Sequence, residues 1–146
     1  MHKPQNYKNH IRFYPPHHFV FYPVMLALFS AAVTQIFIRE GYKLVWIFIA
    51  VIIAVITWLA YMLRQHYALT LQNRIVLMEL RYRYFVITGQ RLEPLEQNLT
   101  EGQLFALRFA ADDELEELAG RAVRENLTPD AIKRAVVNWK ADHRRV

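Results

Sequence analysis

The chain has 146 residues, 54% of them apolar, and a net charge of +5. It contains no cysteine, which excludes disulfides, thiolate metal sites and a cysteine nucleophile. The apolar residues are concentrated: 16 of the 20 at positions 19–38 and 19 of the 20 at 44–63, with no charged side chain in either window. What lies outside these windows is too short for a large enzyme domain.

Residues 1–18 form a basic and aromatic arm. Lys3, Lys8 and Arg12 alternate with Tyr7, Phe13 and Tyr14, and no acid is present. Such a stretch beside an apolar segment suits anionic lipid headgroups. Gln5, Asn6 and Asn9 add hydrogen-bonding capacity that lipid attraction does not need, so docking onto the protein's own helices is an equal alternative. Adjacent His17 and His18 would point about 100° apart on a helix and make a poor chelate.

The segment Phe19 to Ile38 is interrupted only by Pro23, Ser30, Thr34 and Gln35, and Leu44 to Leu63 only by Thr57. Twenty helical residues reach about 30 Å, the thickness of a bilayer's hydrocarbon core. Residues 19–63 therefore predict a two-span transmembrane helical hairpin, because the five residues from Arg39 to Lys43 cannot recross a bilayer. A cleaved signal peptide using Ser30 and Ala32 is the competing account, and the long aromatic stretch before Phe19 argues against it. Lys3, Lys8, Arg12, Arg64, Arg74, Arg81 and Arg83 flank the pair, against Arg39 and Lys43 in the turn. That asymmetry predicts a multi-pass protein with both termini cytoplasmic.

Neither span carries an ionisable group, the usual mark of transport or intramembrane chemistry. Ser30, Thr34 and Thr57 are read as helix-packing residues, with pore lining as the sharper alternative. Ala27 and Ala31, and Ala50 and Ala54, are pairs of small residues four apart that allow close helix approach.

The helical pattern continues over 64–88. Tyr67, Leu71, Ile75, Met78, Tyr82 and Phe85 recur at the mean spacing of a coiled-coil seam, an assembly seam for other chains. A second set, Leu69, Val76, Leu80 and Ile87, lies off it, so this cytoplasmic extension needs neighbours on two sides. Gly89 is placed to end the helix in the left-handed conformation. From Leu44 to Thr88 the expected helix is about 68 Å long if unbroken.

Residues 89–146 read as short amphipathic helices. Thr100 with Gln103, and Asp113 with Glu116, resemble capping boxes, and Thr128 followed by Pro129 supplies an N-cap and first-turn proline. The two helices after Asp113 predict a C-terminal helical hairpin with Leu115, Leu118, Ile132, Val136 and Trp139 as its core and His143 on the final helix face. Replacing Trp139 by Ala is expected to cost about 3 to 5 kcal/mol, lowering assembly without altering insertion. The acids Asp112, Asp113, Glu114, Glu116 and Glu117 fit a helix N-terminus better than a cation site, for want of a recognised loop spacing.

No catalytic, cofactor or metal residues are identified, and no zinc spacing, phosphate loop or hydrolase motif is present. Charges after residue 63 nearly cancel, thirteen Lys or Arg against twelve acids, so there is no basic face for nucleic acid. No small-molecule substrate is suggested. The expectation is an all-α membrane protein of non-enzymatic function. It would be a scaffold or accessory subunit whose partners are the lipid bilayer and either further copies of itself or a larger membrane complex. The alternative is a homo-oligomeric channel built around Ser30, Thr34 and Thr57.

The run Gln5-Asn6-Tyr7-Lys8-Asn9-His10, Thr88-Gly89, Leu107-Arg108-Phe109-Ala110, and the tail from Ile132-Lys133 through Trp139 and Asp142 to Arg145-Val146 together resemble a known family. It is a bacterial family of small two-helix membrane proteins whose domain has no assigned function. The resemblance implies a bacterial inner-membrane location and the two-span layout. It supplies no activity, cofactor or site residues.

Overall fold

The computed structural model describes residues 4–10 and 15–142 and, among these, is all-helical without a strand. It divides into two units: residues 15–70, and residues 71–142 together with 4–10. Lys3, Arg12, Phe13, Tyr14, His143, Arg145 and Val146 lie outside the described residues.

In the first unit a π-helical turn, Pro16–Phe21, leads into α1, Tyr22–Ile38, and Pro23 sits in the first turn of α1, directly after the π-helical turn. A 3-10 turn, Glu40–Tyr42, opens α2, Lys43–Met62, and a second π-helical turn, Leu63–Ala68, follows it. The helical backbone then continues as α3, Leu69–Thr88. The two π turns were not legible in the sequence, since a wider turn has no residue signature of its own. Helices α1 and α2 pack on each other, with Tyr22, Met25 and Phe29 sharing one cleft with Ile53, Thr57 and Tyr61. The continuous helical runs that contain them, Pro16–Ile38 and Glu40–Thr88, are long and apolar enough to cross a membrane. Their packing buries only two side chains, Ala32 at 2% exposure and Ala50 at 6%.

The second unit is built on the inner face of α3. Val76, Leu80 and Tyr84 are buried there, and Leu80 and Tyr84 join a core with Leu92, Leu104, Leu107, Phe109, Leu115, Leu118 and Ile132. Gly89 ends α3 at φ +70°, its N–H donating to Phe85 O, as a left-handed C′ residue does. A single turn, α4, Glu93–Glu96, precedes α5, Glu101–Leu107. Thr100 and Gln103 form the reciprocal capping box of α5, and the Gln103 amide also donates to Leu127 O at 2.8 Å. Helices α6, Leu115–Arg124, and α7, Pro129–Ala135, are joined through Asn126 at φ +47°, and Thr128 Oγ1 caps α7 by accepting from Ala131 N–H.

Three sequence expectations are corrected here. The N-cap of α6 is Glu114 rather than Asp113 and makes no side-chain cap bond; its carboxylate instead accepts from Ala111, Val137 and Asn138 N–H. Helix α7 packs chiefly on α5 rather than forming an isolated pair with α6. It also stops at Ala135. Val136 turns to extended backbone, ψ 119°, and Trp139 pairs with Ala110 in an isolated antiparallel bridge, Lys140 N–H donating to Phe109 O at 2.8 Å. The carboxylate of Glu114 and the Phe109 carbonyl thus take up backbone groups that a longer helix would have satisfied internally.

Truncating Leu80, 1% exposed on α3 and central to this core, is expected to cost about 2 to 5 kcal/mol. Amide hydrogen exchange on the detergent-solubilised L80A chain should show protection lost across α3, α5 and α6 while α1 and α2 exchange as before.

Candidate functional site

The four-residue and three-residue steps of α3 divide its side chains between two faces. Leu71, Ile75, Met78, Tyr82 and Phe85 are between 53% and 70% exposed, while Val76, Leu80 and Tyr84 on the other side are buried. Val86 extends the outer stripe at 63% exposure. Of the second apolar set, Val76 and Leu80 enter the core, Leu69 is half-buried, and Ile87 stays near the surface. Tyr67 is exposed inside the π turn, outside the regular register of α3, so the continuous outer stripe runs from Leu71 to Phe85.

Paired ions fix the orientation of α3 in its unit. The Arg83 guanidinium, 15% exposed, donates to Arg108 O, Ala110 O and Asp112 Oδ1 at 3.0, 2.7 and 2.6 Å. Arg81 donates twice to the Glu96 carboxylate, at 2.7 and 2.6 Å. A forked guanidinium reading carbonyls and a carboxylate together specifies geometry as well as strength. Three members of the acidic cluster take structural tasks. Asp112 meets Arg83 and Lys140, Asp113 accepts from the Asn138 amide, and Glu114 accepts from the Val137 and Asn138 N–H groups.

The N-terminal arm is seated on this same unit. Gln5, 8% exposed, accepts the Asp142 N–H at 2.7 Å. Tyr7 OH donates to Asp130 Oδ1 at 2.6 Å and receives Arg134 at 3.2 Å, whose guanidinium also stands 5.1 Å over the Tyr7 ring. His10 lies against Phe109 and Trp139, ring centroids 5.7 and 5.9 Å away, and those two rings are 4.9 Å apart. Its Nδ1 is 2.6 Å from Tyr7 O and its Nε2 3.3 Å from Lys133 Nζ. A proton on Nδ1 donates to the carbonyl and leaves Nε2 to accept from the ammonium. Asn6 and Asn9 fold the arm on itself, Asn9 Oδ1 accepting the Asn6 N–H at 2.6 Å. The cation singled out from the sequence and described here, Lys8, is exposed. The docking contacts come from Gln5, Tyr7 and His10, whose composition signal was hydrogen-bonding and aromatic rather than charge.

Three segments distant in sequence therefore converge, residues 5–10, 107–110 and 132–142. The chain belongs to the DUF6526 family. The model of this family of unknown function matches residues 1–146. Neither a curated protein nor a solved structure matches the chain. The converging segments are among those that carried the family resemblance.

Ala50 is buried, whereas Ala27, Ala31 and Ala54 are exposed and Ala32 takes the buried place on α1. Thr34 Oγ1 donates to Ser30 O at 2.9 Å and Thr57 Oγ1 to Ile53 O at 2.8 Å, each back-bonding to its own helix. Leu115, Leu118, Ile132 and Val136 are buried, and Trp139 is half-buried at the arm's edge of the core.

Two outcomes follow for this region. Tyr7→Phe removes the hydroxyl shared by Asp130 and Arg134 and should weaken the arm's seating by about 1 kcal/mol, roughly fivefold more undocked arm, read as faster amide exchange over residues 4–10. The Asp112 carboxyl is held below the usual carboxylate range, first by its hydrogen bond from Arg83 and also by that from Lys140, against some desolvation. A carboxyl lowered on folding adds stability that is complete above its unfolded value, about pH 4, and is lost as pH falls through the lower folded value. An acid titration followed by tryptophan fluorescence should therefore show destabilisation below about pH 4 that Asp112→Asn makes shallower.

Proposed function

We propose that this protein is a non-enzymatic integral-membrane scaffold or accessory subunit whose assembly surface is the outer face of α3. In this reading α1 and α2 cross a bacterial inner membrane as a helical hairpin, with the arm, α3 and the C-terminal helices in the cytoplasm.

Three observations support the membrane part. Large apolar side chains on α1 and α2 stay uncovered by protein, among them Phe37 at 78% and Leu44 at 66% exposure, far beyond what a water-facing surface tolerates. Lysine and arginine are more numerous in the flanks than in the turn, which favours cytoplasmic ends. Residues 4–10, before α1, dock on residues 109–142, after α2. Segments in direct contact share one compartment, so the chain between them crosses the bilayer an even number of times.

The observation that carries the assembly reading is the exposed stripe from Leu71 to Phe85 on a helix whose opposite face is already buried. A helix held in place by its own core and still presenting apolar residues at seam spacing is suited to bind another helix. The back-bonded hydroxyls of Thr34 and Thr57 need no pore to satisfy them, which favours the scaffold over the channel.

Replacing Ile75, Met78 and Tyr82 together by Gln tests this, since Gln keeps helix propensity and leaves the inner face untouched. Light scattering in detergent should show a smaller particle, with the melting temperature of the folded unit unchanged and no conductance in planar bilayers for either protein. An unchanged particle size, or ion current from the parent chain, would contradict the proposal.

A further inference from the structure

We propose that the partner on the outer face of α3 is a second copy of this chain, running parallel to the first and in register with it. The proposal rests on the assembly reading above and names its partner.

With the alternating steps of three and four, Ile75 and Tyr82 occupy a positions and Leu71, Met78 and Phe85 occupy d positions. Buried Val76, Leu80 and Tyr84 then fall at b, f and c, the side opposite the seam, so the fold of one chain leaves the a/d stripe clear. Isoleucine at a with leucine at d favours two strands. The flanking charges select the direction. Arg74 and Arg81 are at g, and Gln72 and Glu79 at e. In a parallel in-register pair, g of one helix meets e of the other five residues on, which brings Arg74 to Glu79 of the second copy, twice per dimer. An antiparallel pair would instead set g against g and e against e, opposing the two arginines to each other.

The occupancy of these charges fits that arrangement. Arg81 is already engaged by Glu96 within its own chain. Arg74 and Glu79 are both exposed, and among the described residues neither has an ion-pair or hydrogen-bond partner. They are five apart on one helix, too far round to meet each other. The seam spans only about two heptads, a length that would be marginal for free peptides. Here the helix is already held by its buried face, and two-dimensional confinement raises the effective concentration of its mate.

The absence of cysteine makes the test clean. Single variants Leu71→Cys, Phe85→Cys and, off the seam, Asn73→Cys are introduced into the full chain in membranes and oxidised. The parallel pair predicts same-residue disulfide dimers at 71 and at 85 and none at 73. Arg74→Glu should lower the dimer yield by roughly three- to tenfold, two exposed ion pairs being lost, and adding Glu79→Arg should restore it. Mixed disulfides between Leu71→Cys and Phe85→Cys chains without same-residue dimers would overturn the parallel arrangement. A photo-crosslinker at Met78 that captures a different protein, with no self-dimer, would overturn self-pairing and leave the assembly reading standing. No crosslink of either kind at the seam would overturn both.

Discussion

The structure turns on how little protein covers its apolar helices. α1 and α2 contact each other along their length yet bury only Ala32 and Ala50, leaving rings and branched side chains outward on every other face. Apolar area of that extent must be withdrawn from water by something, and the two helices have the length and composition to use lipid. Neither span carries a charged side chain, and the Thr34 and Thr57 hydroxyls donate to carbonyls one turn back in their own helices.

The ion pairs and long-range hydrogen bonds sit in the other unit. α3 contributes one face to a core of leucines and one forked arginine to the turn at 108–112, which fixes the helix azimuth and so determines which residues remain outside. The arm closes over the far side of that core through Gln5, Tyr7 and His10. Hydrogen bonds and ring contacts of this kind hold a short segment whose own propensity for structure is low. They also tie the residues before α1 to the residues after α2, and it is this tie, more than the charge count, that supports an even number of crossings.

Much of this was legible in the sequence where a local rule decides. The two apolar windows, the glycine that ends α3, the Thr100 and Gln103 box and the Thr128-Pro129 start of α7 each depend on a few neighbouring residues, and each is found in place. The two-stripe pattern of α3 was readable for the same reason. Features set by distant partners were not. Glu114 stands at the N-cap position in place of Asp113, and its carboxylate is taken by Val137 and Asn138, more than twenty residues away. Helix α7 ended early because the Phe109 carbonyl and Ala110 offered Trp139 and Lys140 a bridge. The buried alanine on α1 is Ala32, next to Ala31, because which face meets α2 is set by the partner helix and not by the spacing of small residues. In the arm, charge drew attention to lysines while the docking was done by glutamine, tyrosine and histidine.

Sidedness of thiol labelling tests the central claim most directly. Single cysteines are placed at Gly41 in the turn, at Val55 within α2 and at Gln97 after α4, and sealed vesicles of known orientation are treated with an impermeant maleimide. Enclosure of α1 and α2 by lipid predicts that positions 41 and 97 label from opposite faces of the membrane and that position 55 resists reagent from both. Labelling of all three from one side, or ready labelling at position 55 in protein that stays dissolved without detergent, would contradict it.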